Sequence, residues 1–223
     1  MKIDIYKRAQ NNRNSMSKNL VFIALLLFTG IIQAQTNFEK GMTKAFDLWQ
    51  ADKTDEAENM FERIAKAEAN EWLPNYYVAQ INSLKSWNTK DETVLKAQLD
   101  KAQEHLDVAM TKSENNAELL VLQAQVLTNW VAYDGMTYGM KYGAKIAELY
   151  SKALELDATN PRVVFGKAEW GMGSAKYFEQ DTTPYCQEIE ASIQLFDTFK
   201  AKTEFHPKWG KKRAEQVVEE CKA

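Results

Sequence analysis

Apolar side chains recur along this chain in steps of four and three, a spacing that strongly limits what it can fold into. Leu95, Leu99, Ala102, Leu106 and Ala109 form one such stripe, and Leu120, Ala124, Leu127 and Val131 another. On a helix of 3.6 residues per turn each set falls on a single face. No segment alternates apolar and polar residues as a half-buried strand does. Prolines number only four in 223 residues. The expected fold class is therefore all-α.

The N-terminus is set apart from that pattern. Leu20 to Phe28 is an unbroken apolar run that Ile31 and Ile32 extend. Lys18 precedes it, and Ile32-Gln33-Ala34 follows as a cleavage site. This is the layout of a secretory signal peptide, and the run is shorter than the ~20 residues a membrane span needs. Met16 offers a second translation start with its own charged region. Residues 1–34 are read as the signal peptide and 35–223 as a single repeat domain. The protein is expected in the periplasm or cell envelope, or secreted, with no stable membrane span after cleavage. Residues 1–34 carry a net charge of +4 within a chain of −3, which leaves −7 on the remainder. An acidic chain without a basic run is a poor match for nucleic acid.

The segment from Tyr150 to Pro161, Tyr-Ser-Lys-Ala-Leu-Glu-Leu-Asp-Ala-Thr-Asn-Pro, resembles the second helix and exit turn of a tetratricopeptide repeat. In that family a small residue in the first helix of each pair packs against a small–aromatic–small triad in the second. The resemblance places the small residue at Ala45, Ala79, Ala124, Ala168 and Ala214. It places the triads at Ala57/Phe61/Ile64, Ala102/Leu106/Ala109, Ile146/Tyr150/Ala153 and Ser192/Phe196/Phe199. Each triad ends fifteen residues before the next of these alanines. Alanine lets two helices approach closely, and the aromatic fills the space beside it. Asn160-Pro161 reads as an N-cap followed by proline at the first helical position, and Asn116-Ala117 and His206-Pro207 occupy corresponding places. The resemblance implies a right-handed solenoid of about four helix-turn-helix repeats. A final helix from about Pro207 to Cys221 caps the open end. The Asn160-Pro-Arg and Pro207-Lys-Trp-Gly-Lys segments are also similar to uncharacterised exported repeat proteins of Bacteroidetes-type bacteria.

The register departs from the family in one systematic way. From small residue to triad the family spacing is twelve, as from Ala45 to Ala57, but here the later spacings are 23, 22 and 24. Three insertions of about ten residues therefore fall on one edge of the stack. The third repeat's insertion is the richest: Trp130, Tyr133, Tyr138 and Tyr142 are interleaved with Met136, Met140 and three glycines. Trp87, Trp170, Tyr177, Phe178 and Tyr185 belong to or border the other insertions. Such aromatics either bury the extended helix ends or form a lip for a peptide or small apolar ligand. Trp130, Tyr133, Tyr138, Tyr142 and Trp170 are the candidate partner-binding residues.

No catalytic or metal motif is present: no GxSxG, phosphate loop, HExxH or CxxC. His105 reads as a surface histidine and His206 as a turn residue, two repeats apart, so neither a metal site nor a cofactor is expected. Glu56, Glu58 and Glu62 read as a solvated face. Cys186 and Cys221 lie on an antiparallel helix pair with an axial mismatch of ~7 Å, at the limit for bonding. Export to an oxidising compartment favours the bond. The expectation is a non-enzymatic envelope binding or scaffold module. It would take a protein or peptide in the groove of first helices or on the aromatic edge. A small-ligand binder or unrecognised enzyme using that edge is the first alternative, and a structural subunit of an envelope complex the second.

Overall fold

A computed structural model describes residues 37–87 and 89–222; the signal-peptide segment lies outside them. All regular structure among these residues is helical. The helices are α1 (37–50), α2 (Thr54–Ala67), α3 (Leu73–Ser86), α4 (Glu92–Lys112), α5 (Ala117–Tyr133), α6 (Gly135–Leu156), α7 (Pro161–Tyr177), α8 (Thr183–Thr198) and α9 (Lys211–Lys222). None is long and apolar enough to cross a membrane.

Local chemistry sets the helix starts. Asn116 accepts a hydrogen bond from the Glu118 amide, and Asn160 one from the Arg162 amide, each at 3.0 Å. Asp91 and Asp134 each accept from two first-turn amides. Such caps satisfy donors that no helical carbonyl can reach. Consecutive helices then pack as hairpins: α3 with α4, α5 with α6, and α7 with α8. The first members also touch one another, α3 with α5 and α5 with α7.

The packing centres on small residues. Ala45, Ala79, Ala124, Ala168 and Ala214 are all fully buried, as are Ala57, Phe61, Ala102, Leu106, Ala109, Ile146, Ala153 and Ser192. At Gly166 α7 approaches the Tyr150 ring so closely that a Cβ would lie 2.7 Å from it. The extra residues of the second and third repeats are largely helix, which makes α4 and α6 21 and 22 residues long.

The C-terminal part differs from the expected register. Helix α8 stops at Thr198, and Phe199 has extended backbone rather than completing a helical triad. The last helix begins at Lys211, not near Pro207. Residues 199–210 instead leave α8, reach across to α1 and return to α9. Phe205 stacks on Phe46 at 6.0 Å and meets Phe38 edge-on at 5.9 Å. Its carbonyl accepts a 2.6 Å hydrogen bond from the Tyr77 hydroxyl. The Trp209 indole N–H donates to the Tyr76 hydroxyl at 2.8 Å. Phe199 covers the Arg162 guanidinium at 4.5 Å. Gly210 closes the excursion with φ 111°, where a Cβ would meet the Phe196 ring at 2.7 Å. Only glycine takes that conformation without strain. This strap lies on α1 and across the first turns of α3, α5 and α7, so the starts of the first helices are covered rather than open as the sequence predicts. Aromatic residues at the strap, unreadable as helix or strand, are what bury it.

Candidate functional site

Beneath the strap is a buried charged cluster. Arg162 and Glu118 are 1% and 2% exposed. The guanidinium donates to both Glu118 oxygens, Nε at 2.7 Å and a terminal nitrogen at 2.5 Å. The Asn160 amide donates at 2.6 Å, and His206 Nε2 lies 3.4 Å away. Burial alone would raise the Glu118 carboxyl. The hydrogen bonds from His206, Arg162 and Asn160 outweigh it and hold the group below the ordinary range. His206 is thus the strap's polar anchor rather than a turn cap. The sequence held a missed signal here: Arg162 sits in a first helical turn, where the helix dipole disfavours a cation. A carboxylate had to be waiting for it.

A second cluster corrects the expected solvated face of α2. Glu58 is buried, and Lys101 and Lys85, each at 2.5 Å, and Asn82 at 2.9 Å surround it. Burial pushes its carboxyl up, but those donors prevail and lower it to about 2. His105 is half-buried with Nδ1 2.8 Å from the Asn75 amide oxygen. It borders an open depression of about 550 Å³ with Glu62, Lys66, Asp100, Lys101 and Glu104. Among the described residues no group of three or more histidine, cysteine or carboxylate side chains could hold a metal.

The three turns inside the longer hairpins (α3–α4, α5–α6 and α7–α8) form the aromatic edge. They adjoin: the Tyr138 hydroxyl reaches Glu92 Oε1 at 3.2 Å, linking α6 to α4. The Tyr177 ring lies against Gly135, where an added Cβ would sit 3.4 Å away, linking α7 to α6. The α5–α6 turn is a single residue, Asp134, whose carboxylate accepts from the Met136 and Thr137 amides at 3.1 Å. Hydrogen bonding from the Thr137 side chain, and then from these amides, outweighs a little desolvation and lowers the Asp134 carboxyl.

The five candidate residues are half-buried on this edge. Trp130 meets Tyr138 at 4.8 Å, and Tyr138 stacks on Tyr142 at 6.0 Å. Trp130 and Tyr133 also pack against the core around α3 to α5, and Tyr142 and Trp170 against that around α5 to α7. Beyond them stand side chains that no core receives: Met136 (72% exposed), Met140 (85%), Tyr177 (60%), Phe178 (66%) and Trp87 (50%). The Lys141 ammonium sits 4.8 Å over the Tyr142 ring. Beside the α7–α8 turn, in the first turn of α8, a disulfide joins Cys186 to Cys221, with Cα atoms 6.1 Å apart. It ties α8 to α9 on either side of the strap.

The fold defines an all-helical protein of packed hairpins, with the starts of its first helices covered by the strap and an apolar edge exposed. Among solved structures it is similar to the HusA haemophore from Porphyromonas gingivalis. The two are 21% identical with a TM-score of 0.71, and the match covers 82% of this chain and 92% of that one. At this identity the likeness establishes the fold. No family model matches the sequence, and no curated protein does.

Proposed function

We propose that this chain is an exported, tetratricopeptide-like solenoid of the cell envelope that captures a flat apolar ligand of the tetrapyrrole class on its aromatic edge. The observation that carries this is the row of exposed apolar side chains at the three adjoining turns, Trp87, Met136, Met140, Tyr177 and Phe178. Exposed apolar area gathered on one edge marks an interaction surface. The strap covers the starts of the first helices, which weighs against the groove as the place for a peptide. The fold shared with a haemophore supports the ligand class. The solenoid assignment rests on the buried alanines at the family's small positions and on contacts between successive first helices. The role is binding, not catalysis.

Titration of the mature protein with haemin tests the proposal, followed by absorbance and by quenching of tryptophan fluorescence. Saturable binding that weakens when Tyr177 and Phe178 are both replaced by Ser is the expected result. Non-saturable binding, or saturable binding indifferent to those changes, would overturn it. A protein partner is the second possibility, favoured by the spread of the apolar residues over three turns. Recovery of one stoichiometric envelope protein by the wild type and not by the double variant would establish it instead.

A further inference from the structure

A glycine inside a helix weakens it, so it persists there for a reason of packing or function. For three helical glycines the reason is a side chain lying where a Cβ would go: Ile64 at Gly41, Tyr150 at Gly166 and Tyr185 at Gly171. Gly139 and Gly173 have no such reason. A Cβ added to Gly139 would meet only a Val131 methyl, at 4.0 Å, and one added to Gly173 would meet nothing within 4 Å. Neither has a positive φ. Both lie inside long helices, α6 and α7.

The two glycines border the same seam. Successive helices α6 and α7 run in opposite directions, and two contacts set their register. The Tyr177 ring lies 3.4 Å from the Cβ position of Gly135, and the Trp170 ring 3.9 Å from that of Gly143. Gly139 is one helical turn from each of those glycines, so it shares their face of α6. Counting inward from the two contacts puts Gly173 and Ser174 of α7 across from it. Yet no atom of α7 comes within 4 Å of the Gly139 Cβ position. The seam therefore closes at Tyr177 and at Trp170 and stands open between them. At 1.5 Å per residue that opening is roughly 10–12 Å long. Its floor is helix backbone whose polar groups are already paired along the helix axis, and its two ends are aromatic. Exposed Met136, Met140 and Phe178 are chain neighbours of the residues that frame it.

Resting on the tetrapyrrole reading above, we infer that the macrocycle seats in this notch, over Gly139 and Gly173 and between the Tyr177 and Trp170 rings. A planar ligand gains most where nothing holds it away from the surface, and a missing Cβ lets it reach the backbone itself. The aromatic ends meet its rim edge-on or offset, as such rings prefer. The helices thus give up stability at two positions to keep the seat bare.

The experiment fills the notch and measures haemin affinity and thermal melting. Gly139→Leu and Gly173→Leu should each lose about tenfold or more in haemin affinity, since the new side chain occupies the ligand's space. Ala144→Leu, at an exposed position on another face of α6, should bind as the wild type does. The Gly139→Ala/Gly173→Ala pair should melt no lower than the wild type, because both Cβ atoms enter open space and alanine favours the helix. A lower melting temperature would show that the fold itself needs these glycines and would overturn the inference. So would unchanged haemin affinity in both leucine variants while Tyr177→Ser/Phe178→Ser weakens it, an outcome that leaves the tetrapyrrole reading standing. Failure of the wild type to bind haemin saturably overturns both. Circular dichroism checks each variant, and if Gly139→Leu loses helix, Gly173→Leu, whose Cβ meets no neighbour, decides the case.

Discussion

Replacing Glu118 by Gln tests whether the strap is part of the fold. The substitution keeps the shape but removes the charge facing Arg162. Both groups are almost wholly buried, and Arg162 donates twice to the carboxylate. Breaking such a pair leaves an uncompensated buried cation and costs ~3–5 kcal/mol. A chain of this size loses ~2–4 °C of melting temperature per kcal/mol. The expected fall is therefore roughly 6–20 °C, with a lower urea midpoint at unchanged slope. The carboxylate beside His206 is lost too, so trypsin should cut faster at Lys202, an exposed strap residue. Adding Arg162→Met should recover part of the loss, because removing both charges leaves no orphan cation. A cost within ~1 kcal/mol, no more than a surface ion pair is worth, would refute the account. In the wild type the folded Glu118 carboxyl lies below its ordinary value. Its contribution is therefore complete above the unfolded pKa and disappears as pH falls through the folded one.

Glu58 titrates from an ordinary 4.5 in the unfolded chain to about 2 in the fold, so Glu58→Gln should cost about 2 kcal/mol at neutral pH after allowing for its partly exposed lysines. That cost should vanish as pH falls from about 4.5 towards 2, as acid-unfolding curves of the two proteins will show. Gly166→Ala places a Cβ 2.7 Å from the Tyr150 ring and should cost ~1–3 kcal/mol by overpacking, measured by urea denaturation. Tyr77→Phe removes the hydroxyl that holds the Phe205 carbonyl and should cost ~1 kcal/mol, with no effect on haemin binding. N-terminal sequencing of exported protein should begin near Gln35.

The helices and their small contacts were legible because they obey a local rule. Periodicity placed Leu95, Leu99 and Leu106 on one face, and all three are buried. The fifteen-residue interval located Ala79, Ala124 and Ala168 for the same reason. It misled at Phe199, where an aromatic at the right distance belongs to the strap. Nothing periodic distinguishes a core aromatic on a helix from one on an extended segment. Glu58 and Glu118 were equally opaque. Each looks like one of many helical carboxylates, and only the lysines or arginine brought from other helices decide its burial. At the edge, the aromatic density was visible, but its division was not. Trp130 and Tyr142 turn towards the core, while Met136 and Met140, which helical spacing usually assigns to cores, face water.

That division follows from how the two faces of the hairpins are used. A stack of helix pairs offers a ligand its first-helix face or the edge where each pair turns. Here the starts of the first helices are covered by Phe205, Trp209 and Phe199, with His206 beside a buried carboxylate. Opening it would expose those rings and leave Arg162 and Glu118 to water entry, losses of several kcal/mol before any ligand contact forms. The edge has no such barrier. Lengthening α4 and α6 brings their starts together at this edge, where Tyr138 braces α6 against Glu92 of α4 and Tyr177 braces it against α7. A helix end held on two sides presents its remaining face rigidly, so a ligand of the proposed kind would meet this edge without first ordering a loop. The insertions that break the family spacing are therefore the segments that build the exposed apolar edge.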